Sequence, residues 1–216
     1  MRKYGLIFSC ALAVGLSACA IATRVSGTPP LFSSKVTPQM FDFEHDALHQ
    51  PPEGFESRSG RWVVEDSPTA ASGTQVLVQG GDDAALLAVK NAEGVNAAAG
   101  EAAMRVFLGG SGAGLYCYGK NGGNGYLVKL EPNAGRLALY RRNGDSLNLV
   151  EHAAVSAPKG EWVRVGIRCE RDRVFGYVNG KVAIKQRAEI REFDLALYAD
   201  PGVTAQFDDV AYWAPK

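Results

Sequence analysis

Five side chains of the sequence combine aromatic rings with cationic groups inside segments that alternate apolar and polar residues. They are Arg105, Tyr116, Tyr118, Lys129 and Tyr140. A sugar stacks its apolar face on an aromatic ring, and its hydroxyl groups bond to charged or amide groups. These five residues are therefore the candidate ligand-binding set. Because tyrosine is also common on ordinary strands, a plain solvent-facing sheet surface is the alternative interpretation.

The acidic residues do not have the spacing of a glycosidase. Glycoside hydrolysis needs two carboxylates about 5–10 Å apart across the sugar, and laminarinase-type jelly rolls carry them as Glu-x-Asp-x-x-Glu on one strand. Glu189, Glu192 and Asp194 have a different order and spacing. Asp208 and Asp209 are adjacent, so on a regular strand they would point to opposite faces. We predict no catalytic residue and a structural role for these aspartates.

The segment from His45 to His49 superficially resembles the zinc motif His-Glu-x-x-His, with Asp46 in place of Glu. That motif works because a helix places both histidines on one face. Here the segment follows the strand-like Phe41-Asp42-Phe43 and precedes Pro51-Pro52, which disfavour a long helix. We therefore expect exposed loop histidines, and we predict neither a metal nor a cofactor.

Short strands must position the candidate residues. Alternation of period two recurs along the chain with turn signals between the segments, which is typical of an antiparallel sandwich or jelly roll. The predicted strands are 61–65, 74–79, 84–89, 103–108, 115–118, 126–130, 136–142, 147–151, 163–170, 174–178, 181–185, 195–198 and 204–213. Asn143-Gly144 and Asn179-Gly180 predict two-residue hairpin turns, since such turns need positive φ angles. The Ala-rich run 91–103 is interpreted as a loop entering a strand.

The parity of these strands sorts side chains between the core and the surface. Tyr116 and Tyr118 alternate with apolar residues and should face outward, as should Lys129 on the expected neighbouring strand. Tyr140 and Arg105 alternate in the same way. We expect all five to form one aromatic and basic patch on a single sheet, the concave one.

Parity also places two cysteines on apolar faces. Cys169 shares a face with Val165 and Ile167, and Cys117 shares a face with Leu115. In an oxidising compartment a Cys117–Cys169 disulfide would form if the strands are neighbours. Two separate buried thiols, acting as small hydrophobic side chains, are the alternative.

The composition excludes some classes of protein. The chain has 216 residues, of which 46% are hydrophobic, and its 23 basic residues balance its 23 acidic residues. This length and apolar content suit one globular domain with a sizeable core. Binding to nucleic acid normally requires a basic surplus or a basic stripe, so we predict no nucleic-acid partner.

Residues 1–18 have the order of a secretion signal. Arg2 and Lys3 precede an apolar stretch, 4–15, that is shorter than the roughly 20 residues of a membrane-spanning helix. Leu16-Ser17-Ala18-Cys19 then resembles a bacterial lipobox. That resemblance implies cleavage before Cys19, lipidation of this cysteine, and a membrane partner through the lipid. An ordinary signal peptide with a chance cysteine, or an uncleaved anchor, is the alternative.

The remaining chain divides into a tether and a domain. Segment 19–40 is rich in Ser, Thr, Gly and Pro without apolar periodicity, so we expect a flexible tether after the lipidated cysteine. Residues 41–216 are expected to form one β domain. Ala20 follows the cysteine, where an Asp would retain the protein in the inner membrane, so we expect the outer membrane, facing the periplasm.

Several segments resemble secreted bacterial concanavalin A-like domains, which are similar to laminin-G-like jelly rolls and to the 3-keto-disaccharide hydrolase domain family. The segments include Phe41-Asp42-Phe43-Glu44, Gly60-Arg61-Trp62-Val63-Val64-Glu65-Asp66, Gly125-Tyr126-Leu127-Val128-Lys129, Val178-Asn179-Gly180-Lys181 and Phe207-Asp208-Asp209-Val210. The resemblance covers most of 41–213 and implies an all-β, two-sheet antiparallel jelly-roll sandwich. Such folds include lectins, glycosidases and plain interaction modules.

Three functions are compatible with these observations. The favoured one is a non-catalytic, lipid-anchored domain that binds a glycan or another component of the bacterial cell envelope, such as an envelope protein. The second, implied by the family resemblance, is an enzyme of the 3-keto-disaccharide hydrolase type. The third is a purely structural interaction module.

Overall fold

The computed structural model of the protein describes residues 37–90, 98–108, 112–119, 124–188 and 194–213. Two antiparallel sheets are packed face to face, which confirms the predicted all-β sandwich. The signal segment, Cys19 and most of the tether lie outside the described residues. Within the part that is described, no helix has the length and apolar character needed to cross a bilayer.

The two sheets contain fifteen strands among the described residues. The eight-stranded sheet has the spatial order β13 (Lys181–Arg187), β12 (Arg173–Val178), β11 (Val163–Cys169), β6 (Ala98–Leu108), β15 (Thr204–Trp213), β4 (Gln75–Gln79) and β3 (Trp62–Asp66), with β1 (Gln39–Phe41) also paired to β15. The seven-stranded sheet has the order β10 (Ser146–Ala154), β9 (Arg136–Asn143), β8 (Asn124–Glu131), β7 (Ala113–Tyr118), β14 (Asp194–Ala199), β5 (Ala85–Val89) and β2 (Phe55–Ser59). A 3-10 turn, Pro132–Ala134, connects β8 to β9.

The core lies between the inner faces of the sheets and follows the predicted parity. Leu115 and Cys117 of β7 pack against the Val165 and Ile167 side of β11, and all four are fully buried. Cys117 and Cys169 form a disulfide with their Cα atoms 6.7 Å apart. Of the two alternatives left open by the sequence, the structure therefore has the disulfide, and the bond joins β7 of one sheet to β11 of the other.

Both predicted hairpin turns are present in the structure, and one of them is shifted by one residue. Asn179 and Gly180 have φ angles of 48° and 75° and connect β12 to β13 as expected. In the other hairpin Asn143 still pairs with Ser146, so the turn consists of Gly144 and Asp145. A two-residue turn needs a left-handed residue at its first position, and Gly144 supplies it with a φ of 57°.

Three strands differ from the sequence prediction. Strand β1 (Gln39–Phe41) was not predicted and begins within the expected tether, at residue 39. Strand β6 begins at Ala98 rather than Ala103, and residues 91–97 of the expected loop lie outside the described residues. Strand β2 was not predicted, because Phe55 is its one buried residue and an edge strand that faces solvent shows no alternation. His45 and His49 lie in a turn segment, as predicted.

The adjacent aspartates of β15 do not point to opposite faces, so that expectation was wrong. Asp209 has a φ of 47° and lies at a bulge, which interrupts the period-two alternation. As a result both carboxylates bind Ser72: its backbone N–H donates to Asp208 at 2.9 Å and its hydroxyl donates to Asp209 at 2.6 Å. Burial raises the pKa of Asp208 to about 7. Their role is to attach the loop after β3 to β15, as the structural interpretation expected.

Candidate functional site

The outer face of the seven-stranded sheet carries a continuous row of side chains. Backbone register places Ala88, Ala196, Tyr116, Leu127 and Tyr140 side by side across five strands. Residues that pair directly in an antiparallel ladder point to the same face. Small side chains at one end of the row and large ones at the other therefore create a step in this surface.

Four of the five predicted binding residues lie together on this face. The rings of Tyr116 and Tyr118 are stacked, with centres 5.2 Å apart and planes inclined by 17°. The Lys129 ammonium group lies 4.5 Å from the ring centre of Tyr140. Tyr116 and Tyr118 lie on the outer face of the sheet as expected, but both are buried, so the prediction that their rings are open for stacking on a sugar was wrong.

Arg105 lies elsewhere, so its placement in the same patch was wrong. It belongs to β6, whose neighbours in the eight-stranded sheet are β11 and β15. Its guanidinium group donates to Gln206 at 2.6 Å and to Thr69 at 2.9 Å, and it lies 4.6 Å from the ring centre of Trp162. Parity separates inward from outward residues, but it does not say which sheet a strand joins. Arg105 stabilises the outer face of the opposite sheet.

A cleft of about 180 Å³ opens on the outer face of the seven-stranded sheet near the β9–β10 hairpin. Its lining residues are Ala84, Tyr116, Leu127, Arg142, Asp145, Leu147 and Tyr198. Sequence reasoning missed Arg142, Asp145 and Tyr198. The parity of Leu195 and Leu197 would have turned Tyr198 outward, and Arg142 has the same parity as Tyr140, so part of the signal was present.

The hydroxyl group of Tyr116 is the unusual polar atom of this cleft. The Tyr116 side chain is 1% exposed, and its hydroxyl has no hydrogen-bond partner among the described residues. Burial raises the pKa of Tyr116, and the nearby Arg142 guanidinium opposes that shift. The Arg142 guanidinium lies 5.9 Å from the Tyr116 ring centre. Because the Tyr116 hydroxyl is buried, a ligand would reach it only after the side chains that cover it move.

A buried network of charges supports one side of the cleft. The Lys129 ammonium group lies 2.8 Å from Asp200 and 3.0 Å from Glu131, and all three side chains are less than a tenth exposed. Burial lowers the pKa of Lys129, but hydrogen bonds and charges from both carboxylates outweigh it, so the net pKa is raised. Arg136 also binds Glu131, so two cations and two carboxylates balance.

This network orients two tyrosines of the outer face. The Tyr198 hydroxyl donates to Asp200 at 2.9 Å, and the Tyr140 hydroxyl donates to Glu131 at 2.6 Å. Burial, followed by the Asp200 charge, raises the pKa of Tyr198, so the hydroxyl keeps its proton and remains a donor. Lys129 therefore acts on the cleft through Tyr198 and Tyr140, as a positioning residue.

The cleft does not present a pair of carboxylates. Among the described residues that line it, Asp145 is the sole acidic side chain. Glu131 and Asp200 are neutralised together by Lys129 and Arg136 and lie outside the lining, while Glu189 and Glu192 lie outside the described residues. Nor does any cluster of three His, Cys, Asp or Glu side chains in the described ranges form a metal site.

Comparison with solved structures defines the class of fold. The carbohydrate-binding module CBM66 from Bacillus subtilis is similar, with a TM-score of 0.61 and 18% identity over 74% of this chain and 96% of that chain. SCLam, a non-specific endo-β-1,3(4)-glucanase of family GH16, has a TM-score of 0.58 and 9% identity over 88% and 95%. The carbohydrate recognition domain of Emp47p has a TM-score of 0.54 and 10% identity over 85% and 97%. No protein-family model and no curated protein sequence matches the chain.

The domain is therefore a concanavalin A-like jelly roll. At these sequence identities the likeness extends to the fold and no further.

Proposed function

We propose that this protein is a lipid-anchored component of the bacterial cell envelope whose jelly roll binds a glycan without catalysis. The binding site is the cleft on the outer face of the seven-stranded sheet. The observation that carries the proposal is the open cleft itself, whose lining combines the apolar Leu127 and Leu147 with the polar side chains of Arg142 and Tyr198.

The lining of the cleft matches the two-sided chemistry of a sugar. Leu127, Leu147 and the half-buried ring of Tyr198 offer apolar contact to the C–H face of the sugar. Tyr116 and Arg142 offer donors for its oxygen atoms. The volume of about 180 Å³ is below the roughly 300–1,000 Å³ of typical small-molecule pockets. A short segment of a glycan suits this space better than a long buried chain.

The fold is compatible with this proposal, since two of the similar structures are a carbohydrate-binding module and a carbohydrate recognition domain. The competing function is a glycosidase, including the 3-keto-disaccharide hydrolase type, and a glucanase shares the fold. Such an enzyme would need a second acid or base beside Asp145, and the described lining contains none. A purely structural module would need no open cleft with an unpartnered hydroxyl.

Changing Tyr116 to phenylalanine tests the proposed site by removing one oxygen atom. In a glycan array followed by calorimetry on the full chain in detergent, we expect the affinity for the bound glycan to fall about 3–10-fold. The free energy of unfolding should stay unchanged or rise slightly, because the hydroxyl has no protein partner to lose.

The matched control for this change is Tyr177→Phe, which removes a tyrosine hydroxyl from the outer face of the opposite sheet. Its glycan affinity should equal that of the unmodified protein. If no glycan on the array binds the unmodified chain, the glycan-binding function is wrong. Equal losses for both variants would move the binding site away from the cleft.

Membrane attachment rests on the lipobox and has its own test. In cells supplied with radiolabelled palmitate, the unmodified protein should carry the label and sediment with the outer membrane. Cys19→Ser should abolish the label and release the protein to the soluble fraction, whereas Cys10→Ser should keep both. Label on the Cys19→Ser protein would contradict the anchor.

A further inference from the structure

We propose that the glycan bound in this cleft carries an anionic group, a carboxylate or a sulfate ester, and that Arg142 recognises it. This inference rests on the proposed glycan-binding function and specifies the chemical class of the ligand. It follows from the charges around the cleft, because the neighbouring cations Lys129 and Arg136 form ion pairs with carboxylates and Arg142 forms none among the described residues.

Arg142 lines the cleft, is half-buried, and has no carboxylate partner among the described residues. Its Nε atom donates to the carbonyl oxygen of Gly144 at 2.8 Å. A guanidinium group has five N–H donors in a planar fork, so its terminal nitrogens remain for a ligand. Half-buried arginine without a counter-charge is unfavourable, and an anion would relieve that cost.

The other cations of this face are already neutralised. Lys129 lies between Asp200 and Glu131, and Arg136 binds Glu131 as well. The charges of this network balance, whereas Arg142 lines the cleft without an ion pair to any carboxylate of the described residues. Asp145 also lines the cleft, but it is exposed at the hairpin turn, where solvent and salt screen it.

The hairpin holds Arg142 in position before any ligand binds. Arg142 pairs with Leu147 across the β9–β10 ladder, and the left-handed Gly144 brings its carbonyl oxygen to the Arg142 Nε atom. An arginine whose Nε is already bonded loses less side-chain entropy on binding. A fixed fork of this kind suits the planar or tetrahedral oxygen atoms of a carboxylate or sulfate.

Tyr116 lies beside Arg142 in the lining of the cleft. Burial raises the pKa of this phenol, and the Arg142 guanidinium opposes that shift. The phenol therefore keeps its proton at neutral pH, and the positive charge at this side of the cleft is that of Arg142.

Calorimetry with three oligosaccharide probes of equal length tests the inference on the full chain in detergent. The probes are an oligogalacturonate, a sulfated galactan oligosaccharide and a neutral galactan oligosaccharide. We expect at least one anionic probe to bind about tenfold tighter than the neutral one, and added salt to reduce that difference. The anionic probe that binds more tightly shows whether the recognised group is a carboxylate or a sulfate ester.

Arg142→Gln should weaken binding of the preferred anionic probe about 10–100-fold and change binding of the neutral probe less than about threefold. The matched control is Arg141→Gln, one residue away on the same strand and facing the other side of the sheet, which should keep the preference. If the anionic and neutral probes bind with equal affinity, and Arg142→Gln does not change either affinity, the proposed preference for an anionic group is wrong. The proposal that the protein binds a glycan would still stand. Failure of every probe and every arrayed glycan to bind overturns both.

Discussion

Replacing Lys129 with methionine is expected to lower the free energy of unfolding by about 3–5 kcal/mol, the usual cost of removing one partner from a buried ion pair. Methionine fills nearly the same space but leaves Asp200 and part of Glu131 buried without their cation. The loss should exceed that of an ordinary core substitution, because the carboxylates cannot reach solvent. Chemical denaturation followed by circular dichroism measures it.

Two further variants separate charge from packing at this position. Lys181→Met removes an exposed lysine from the edge of the opposite sheet and should change stability by no more than about 0.5 kcal/mol. The double variant Lys129→Met with Asp200→Asn should lose less unfolding free energy than the sum of the two single variants, because the uncompensated carboxylate of Asp200 is then removed. A loss below about 1 kcal/mol for Lys129→Met would contradict the buried network.

The same change should weaken glycan binding, although Lys129 does not line the cleft. Without Lys129, Asp200 and Glu131 shift toward other partners, and the hydrogen bonds that orient Tyr198 and Tyr140 weaken. We expect the folded Lys129→Met protein to bind the glycan more weakly although every residue that lines the cleft is retained. That result would support a positioning role for Lys129.

Removing the disulfide by changing both Cys117 and Cys169 to alanine is expected to lower the free energy of unfolding by about 4 kcal/mol. The bond closes a loop across a sequence separation of 52 residues, and the unfolded chain gains that freedom when the bond is lost. Thermal and chemical unfolding of the two proteins measure the difference.

Reductant provides the control for the disulfide prediction. Dithiothreitol should destabilise the unmodified protein by a similar amount and leave the double alanine variant unchanged. Glycan affinity of the folded protein should be preserved, because hydrogen bonds within the seven-stranded sheet align Tyr116 with Leu127 and Ala196. Equal stability with and without reductant would contradict a role for the bond.

Much of the fold was predictable because the information is local. Alternation along β11 identified Val165, Ile167 and Cys169 as core residues before any partner strand was known. The Asn179-Gly180 dipeptide identified a hairpin, since few other residues adopt the required φ angles. Local signals failed at β2, where an exposed edge strand has no apolar face to reveal its period.

The candidate site was predictable only in part. Tyr116, Tyr118, Lys129 and Tyr140 share a face because β7, β8 and β9 are consecutive hairpins, and consecutive antiparallel strands keep their parity aligned. Arg105 was misplaced because the chain crosses to the other sheet between β6 and β7. No pattern within either strand records that crossing.

The sequence by itself determined the strand periodicity, the inward direction of both cysteines and the direction of the tyrosines toward the outer face of their sheet. Each of these depends on neighbours a few residues apart, where backbone geometry sets the outcome. The tertiary structure alone decided which strands share a sheet. It also decided that Cys117 meets Cys169, that Asp200 meets Lys129, and that Arg142 and Tyr198 share a cleft. These contacts join residues distant in sequence, so long-range pairing and burial determine them, and no local pattern contains them.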